Sequence, residues 1–179
     1  YTFNYNGIIT AMAGVRVDHS SIYGTFVTPR VHVKWQPNNI IGLRLSAGEG
    51  YRTVHALAEN NNLLAIGRQL VIGDNLKQER AWNYGISASL NIPLFGKTLG
   101  MNAEYYYTHF LSQVDIDYDT DQSKLIIDNI HGRSYSHTLQ VDATYELFKG
   151  MSLTAAYRRN IVKGVYGGVF TDRALQGKW

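Results

Sequence analysis

The feature that most constrains this chain is a two-residue alternation sustained over long stretches. Trp82, Tyr84, Ile86, Ala88, Leu90, Ile92 and Leu94 are apolar or aromatic, while the residues between them, Asn83, Gly85, Ser87, Ser89, Asn91 and Pro93, are small, polar or turn-forming. Successive side chains of an extended strand point to opposite faces, so this stretch sets one face in an apolar medium and the other beside polar groups. The same alternation runs through 9–17, 27–35, 41–47, 99–108, 135–147 and 151–157. It predicts roughly seven strands, several of them longer than the about 5–6 residues usual in globular sheets and close to the about 9–11 that cross a bilayer.

The connections read as short and long by turns. Gln36 to Asn39, Phe95 to Lys97 and Lys149-Gly150 are expected to be tight turns, with Asn and Gly tolerating the positive φ they need. The segments 19–24, 53–80, 113–134 and 161 onward are expected to be longer. Short turns on one side and long loops on the other are the layout of an outer-membrane barrel, the turns periplasmic and the loops extracellular. Trp35, Phe95 and Phe148 fall beside the turns. Tyr51, Trp82, Tyr84, Tyr105, Tyr107, Tyr135 and Tyr157 fall towards the loops. Two aromatic girdles at two bilayer interfaces are the expectation.

Composition agrees. Charged residues make up 17%, against about 25% in average proteins. Thirteen Tyr and 17 Gly beside 3 Pro suit antiparallel sheet. Cysteine is absent, which excludes disulfides and Cys-based metal sites. The net charge of +3 is scattered, so nucleic acid is not an expected partner. No apolar run is long enough for a transmembrane helix, although β-strands give a far weaker hydropathy signal. The chain starts at Tyr1 with no signal peptide and is expected to be a mature or excised segment.

Within these alternating stretches charges keep to one register. Arg16, Arg30, His32, Lys34, Arg44, Glu104, Asp142 and Arg158 all alternate with the apolar residues. On a lipid-facing strand Arg or Lys at mid-bilayer would cost about 2–4 kcal/mol. These eight residues are therefore expected to line a wet lumen, with Arg52 and Glu146 in the same register. Such a lining either pairs with neighbouring strands or forms an electropositive path for anions. The expected fold is all-β: an antiparallel transmembrane β-barrel segment. Two other readings stay open, a complete small porin-like outer-membrane barrel of about eight strands and a soluble β-rich binding or adhesion module.

Three stretches carry a family resemblance. "AGVRVDHSSIYGTFVTPRVHVKWQPN" (13–38) has Arg16-x-Asp18 leading to a loop and then Thr28-Pro29-Arg30 opening a strand. "LRLSAGEGYRT" (43–53) holds Gly50-Tyr51-Arg52, and "DNLKQERAWNYGIS" (74–87) leads into the next strand. In order and spacing they resemble the barrel of TonB-dependent outer-membrane receptors, in a Bacteroidota-like style. The family usually has Pro where this chain has Gln78, and often Pro near Val54. The match is good over 7–112 and thins in 113–134 and after 160.

The resemblance implies that residues 1–179 are part of a barrel of about 22 strands, whose lumen holds an N-terminal plug. Neither a plug nor a TonB box is visible in this segment. It also implies residence in the bacterial outer membrane, contact with its lipid, and coupling to the TonB complex through the missing plug. The function implied is active uptake of a scarce nutrient: an iron-siderophore, haem, cobalamin or a glycan. In haem receptors a ligand His lies between a Tyr/Phe-Arg-Ala-Pro box and an Asn-Pro-Asn-Leu box. His55 lies between Tyr51-Arg52 and Asn75-Leu76, which makes Tyr51, Arg52, His55 and Asn75 the candidate ligand-binding residues. An imidazole there could ligate haem iron; a solvated loop His is the plainer reading.

No Gly-x-Ser-x-Gly, His-Glu-x-x-His or phosphate-binding loop occurs, so no enzyme is expected. The six His residues are dispersed, and neither a metal site nor a cofactor is expected. His109 and His137 share the apolar register, where they would sit near an interface. Asp115, Asp117, Asp119 and Asp121 alternate like hard-cation ligands. Without an EF-hand Gly or terminal Glu, the simpler expectation is a strand above the membrane with one solvated acidic face.

Overall fold

The computed structural model describes residues 1–118, 120–166 and 168–173. In chain order its elements are β1 (Thr2–Tyr5), β2 (Ile9–Ser20), β3 (Gly24–Trp35), β4 (Ile41–Arg52), α1 (Ala56–Glu59), a 3-10 helix (Asn61–Ala65) and β5 (Gln69–Ile72). They continue as β6 (Glu79–Leu94), β7 (Lys97–Ser112), β8 (Val114–Asp117), β9 (Lys124–Asn129), β10 (Ser134–Phe148), β11 (Met151–Tyr166) and β12 (Val169–Asp172). The seven long strands are the seven that the alternation predicts.

Nine strands form one antiparallel sheet in the order β1-β2-β3-β4-β6-β7-β10-β11-β12. β1 and β12 stand at opposite ends, so the sheet is unclosed. Register carries the alternation across the wall. One rung reads Thr10, Lys34, Arg44, Ser87, Glu104, Gln140, Arg158; another reads Met12, His32, Ser46, Gly85, Tyr106, Thr138, Asn160. The opposite face reads Val33, Leu45, Ile86, Tyr105, Leu139 along one rung. No second layer covers that apolar face in the described residues, and Val15 and Val17 are exposed at 69% and 62%.

Turns close where the sequence supplies left-handed residues. Phe95 (φ 49) and Gly96 (φ 75) form the two-residue link between β6 and β7, the double positive φ of the favoured hairpin turn. Asn6 and Gly7 (φ 50 and 69) share that double positive φ between β1 and β2, where Ile8 completes a three-residue link.

Two connections are shorter than expected. β2 runs to Ser20 and β3 starts at Gly24, leaving a three-residue turn where 19–24 reads as a longer loop. β11 continues to Tyr166, past position 161 where a loop is expected. The remaining two long connections are built loops. Parallel pairing of β5 with β9, and antiparallel pairing of β9 with β8, makes a separate three-stranded sheet from 53–78 and 113–133. Leu63, Leu125 and Ile127 are buried there, packed by Ala56, Leu70, Val114 and Ile116.

Candidate functional site

The site is the loop end of the wall together with the polar face below it. At that end β3 and β4 part company. Their pairing runs from Trp35 opposite Leu43 to Arg30 opposite Gly48 and stops there. The next β3 residue along is Pro29, which has no N–H to continue a ladder. Tyr51 turns towards the gap: its ring meets Phe26 edge-on at 4.2 Å, and Arg16 Nη2 donates to its hydroxyl at 3.3 Å. Tyr51 thus packs against residues of the polar face instead of joining the aromatic girdle.

The girdle itself forms on the apolar face. Trp82 stacks with Tyr84, Tyr84 with Tyr107, and Tyr107 lies against Tyr135 and His137. His137 Nδ1 and the Tyr105 hydroxyl are 2.7 Å apart, which satisfies the imidazole within an aromatic belt. His109 is opposite Trp82 and Tyr135 in the same register. Glu49, only 7% exposed, also lies in this register and is held by Arg80 through Nε at 2.8 Å.

Arg52 anchors the loops. Its Nε donates to Glu79 Oε2 at 2.6 Å and its Nη1 to Glu59 Oε2 at 2.7 Å. Glu79 uses its other oxygen to accept the Val114 N–H at 2.9 Å. Glu59 accepts the His55 N–H at 3.1 Å, and that bond, with Arg52, holds its carboxyl below the usual range. A single guanidinium therefore ties the end of β4 to α1, to β6 and, through Glu79, to β8.

Amides complete the connection between the loops. Asn129 accepts the Lys77 N–H at 2.6 Å and returns a hydrogen bond to Lys77 O at 3.2 Å. Gln78, 6% exposed, donates to Thr53 Oγ1 at 3.3 Å. Gln78 stands where the resembled family usually has Pro, and that departure was the one sequence signal for its buried role.

Of the four candidate ligand residues, Arg52 is engaged by two carboxylates and Tyr51 by Phe26 and Arg16. His55 is exposed and precedes α1; Asn75 is exposed in the turn after β5. No hydrogen bond or ion pair joins His55 to Asn75 among the described residues.

The acidic series is divided by the fold. Asp115 and Asp117 belong to β8, Asp121 accepts from Ser123 N and Oγ, and Asp119 lies outside the described residues. Burial pushes the Asp115 carboxyl up, opposed by Arg173, while Ser123 and Lys124 draw Asp121 down. Among the described residues no group of three or more His, Asp or Glu could hold a metal ion. The half-buried Asp115 departs from the expected solvated acidic face.

On the polar face, Arg30, His32, Lys34, Arg44, Glu104 and Tyr106 line a hollow of about 670 Å³. Tyr106 lies against Gly85: a Cβ added there would sit 2.6 Å from the ring's Cε1. Asp142 accepts from Asn102 at 2.9 Å, Arg16 pairs with Asp18 at 2.8 Å, and Arg158 donates to Asn160 at 3.4 Å. All eight charged or His residues of the expected lining share this one face, joined by the register.

Two solved structures are similar in fold. The FrpB iron transporter from Neisseria meningitidis (F3-3 variant) superposes at TM-score 0.67 with 18% identity, over 96% of this chain and 25% of that one. The siderophore receptor PirA from Pseudomonas aeruginosa superposes at TM-score 0.63 with 13% identity, over 91% of this chain and 35% of its own length. The chain thus spans about a quarter to a third of these structures. No curated protein matches it in sequence. The family model described as "TonB dependent receptor-like, beta-barrel" matches residues 1–178. With that match over its length and an unclosed antiparallel wall of seven long strands, this chain belongs to the TonB-dependent receptor-like β-barrel family, as a section of the barrel.

Proposed function

We propose that the full-length protein imports a scarce nutrient across the bacterial outer membrane, with energy delivered by the TonB complex through a plug, and that an iron chelate is the leading substrate class. The observation that carries this reading is the family match over 1–178, joined to a wall whose two faces differ as a barrel's must. The apolar face meets lipid and the polar face, with Arg16, Arg30, His32, Lys34, Arg44, Glu104, Asp142 and Arg158, lines the lumen. The iron and siderophore functions named for the two similar structures support the substrate class. Capture falls to the loop end, where Tyr51, Arg52, His55 and Asn75 lie on or beside the folded loop pair. Within it Arg52 and Tyr51 position, while exposed His55 and Asn75 face the ligand.

Deleting the gene and measuring uptake of radioactive ferric siderophores and haem tests this. Loss of uptake for one iron source, restored by the full-length gene only in a strain with an intact TonB system, is the expected result. Unimpaired uptake of every iron source would remove iron from the reading. TonB-independent uptake would remove the mechanism.

A further inference from the structure

The polar face carries an unbalanced pair. Lys34 on β3 stands directly opposite Arg44 on β4. Facing residues on one side of an antiparallel pair have Cβ atoms about 4.5–5.5 Å apart, and like charges placed so destabilise the sheet. Arg30, four residues along β3, projects from the same face. Among the described residues neither Lys34, Arg44 nor Arg30 forms an ion pair. Glu104 sits on the same rung as Arg44 but two strands away, beyond Ser87, which at about 4.8 Å per strand is roughly 10 Å. It lines the hollow without pairing.

We propose that Lys34 and Arg44, flanked by Arg30, form a site for an oxyanion inside the barrel. Two cations facing each other on adjacent strands and lining one open hollow can offer one ligand two kinds of donor, a fork from Arg44 and a point charge from Lys34. A carboxylate or phosphate oxygen between them turns repulsion into two attractions. The pair lies near the tight turn 36–40, far from the loop end, so this site is distinct from the capture residues. The oxyanion has two possible sources: an acidic side chain from another part of the chain filling the lumen, or a free anionic solute. The site requires only that this face be enclosed by the barrel; it does not depend on iron or TonB, so its test is independent of the uptake assay.

The test uses the full-length protein in detergent, with the midpoint of heat-modifiable gel migration read at constant ionic strength in phosphate and in chloride. A solute site gives a midpoint a few degrees higher in phosphate, a difference that vanishes in Lys34→Gln. A site filled by the chain's own carboxylate gives no phosphate effect, and Lys34→Gln and Lys34→Glu both lower the midpoint by a few degrees. Either result upholds the site. No Lys34-dependent phosphate effect, together with a midpoint unchanged or raised in Lys34→Gln, overturns it, because an empty like-charge pair is relieved by losing one charge. Lys34→Gln alone decides between these outcomes should Lys34→Glu fail to assemble.

Discussion

Arg52 and Glu79 face each other across β4 and β6 at 2.6 Å, and Glu79 holds the Val114 N–H with its second oxygen. One carboxylate therefore joins the barrel wall to the loop sheet. Glu79→Ala removes both bonds and leaves the Val114 N–H without this acceptor. A hydrogen bond to a charged group contributes about 1.5–3 kcal/mol, so amide exchange in β8 should accelerate by about tenfold or more. Exchange in the middle of β6 should stay unchanged. If Val114 exchanges at its original rate, the clamp is not what holds β8.

The loop sheet has a core of its own, and Leu125 is at its centre with 0% exposure. Leu125→Ala should destabilise it by about 2–5 kcal/mol, the usual range for a buried Leu truncation. Limited proteolysis should then cut within 53–78 or 113–133, while the heat-modifiable mobility of the full-length barrel is retained. Loss of barrel assembly instead would mean that the loops are required for the wall to form.

The two faces of the wall predict opposite responses to the same substitution at adjacent positions. Val141 belongs to the apolar face and Gln140 to the polar face, opposite Glu104 and Arg158. Val141→Lys in the full-length protein should reduce stability by about 2–4 kcal/mol if it lies near mid-bilayer. Gln140→Lys should change it by well under 1 kcal/mol, since Glu104 and Arg158 oppose each other's effect. Equal responses in a denaturant titration from lipid vesicles would contradict the assignment of faces.

Asp115 gives the loop sheet a pH dependence of definite sign. Burial raises its carboxyl above the ordinary aspartate value. The folded loops then bind its proton more tightly than the unfolded ones, so stability is present below the ordinary value of about pH 3.9 and is lost as pH rises through the folded value. Glu59 and Asp121 are shifted down and act oppositely, in a window below ordinary carboxylate values. Between about pH 4 and neutrality the Asp115 trend should dominate. Amide protection in β9, corrected for the intrinsic base-catalysed rise of exchange with pH, should fall across that range in the native protein, and Asp115→Asn should flatten the slope.

Gly85 makes room for Tyr106 on the polar face. Gly85→Ala would place its Cβ 2.6 Å from the Tyr106 ring and 2.5 Å from Ser46 Oγ. The ring must swing away, and overpacking of this kind typically costs about 1–3 kcal/mol. Pairing the change with Tyr106→Ser should recover most of that loss. A double variant no more stable than Gly85→Ala alone would place the strain elsewhere.

The seven long strands were legible because alternation with a two-residue period has few competing explanations over such lengths. Even there the ends were hidden. β11 runs on to Tyr166 although Arg159 and Lys163 occupy its apolar register, and those two charges mask the pattern near the loop end. β1 was missed because the strand before the Asn6-Gly7 turn is only four residues long, although Asn-Gly is a strong hairpin signal. The loop sheet was not legible: β5 and β9 are four and six residues long and pair in parallel across more than 50 positions, which no local pattern encodes. The same holds for Arg52. Its position in a Tyr-Arg motif marks it as important, but only the fold shows that Glu59 and Glu79 occupy it.

The parallel pairing of β5 with β9 also limits how such a protein can diverge. β5 of the first loop has no hydrogen-bonding mate without β9, β9 keeps only β8 beside it without β5, and Leu63 from the first loop shares a core with Leu125 and Ile127 from the second. Exchanging one loop alone with a relative would leave an orphaned strand edge and a half-filled core at the mouth of the barrel. A structural change at this end therefore has to be made in 53–78 and 113–133 together, despite the wall strands β6 and β7 that separate them along the chain.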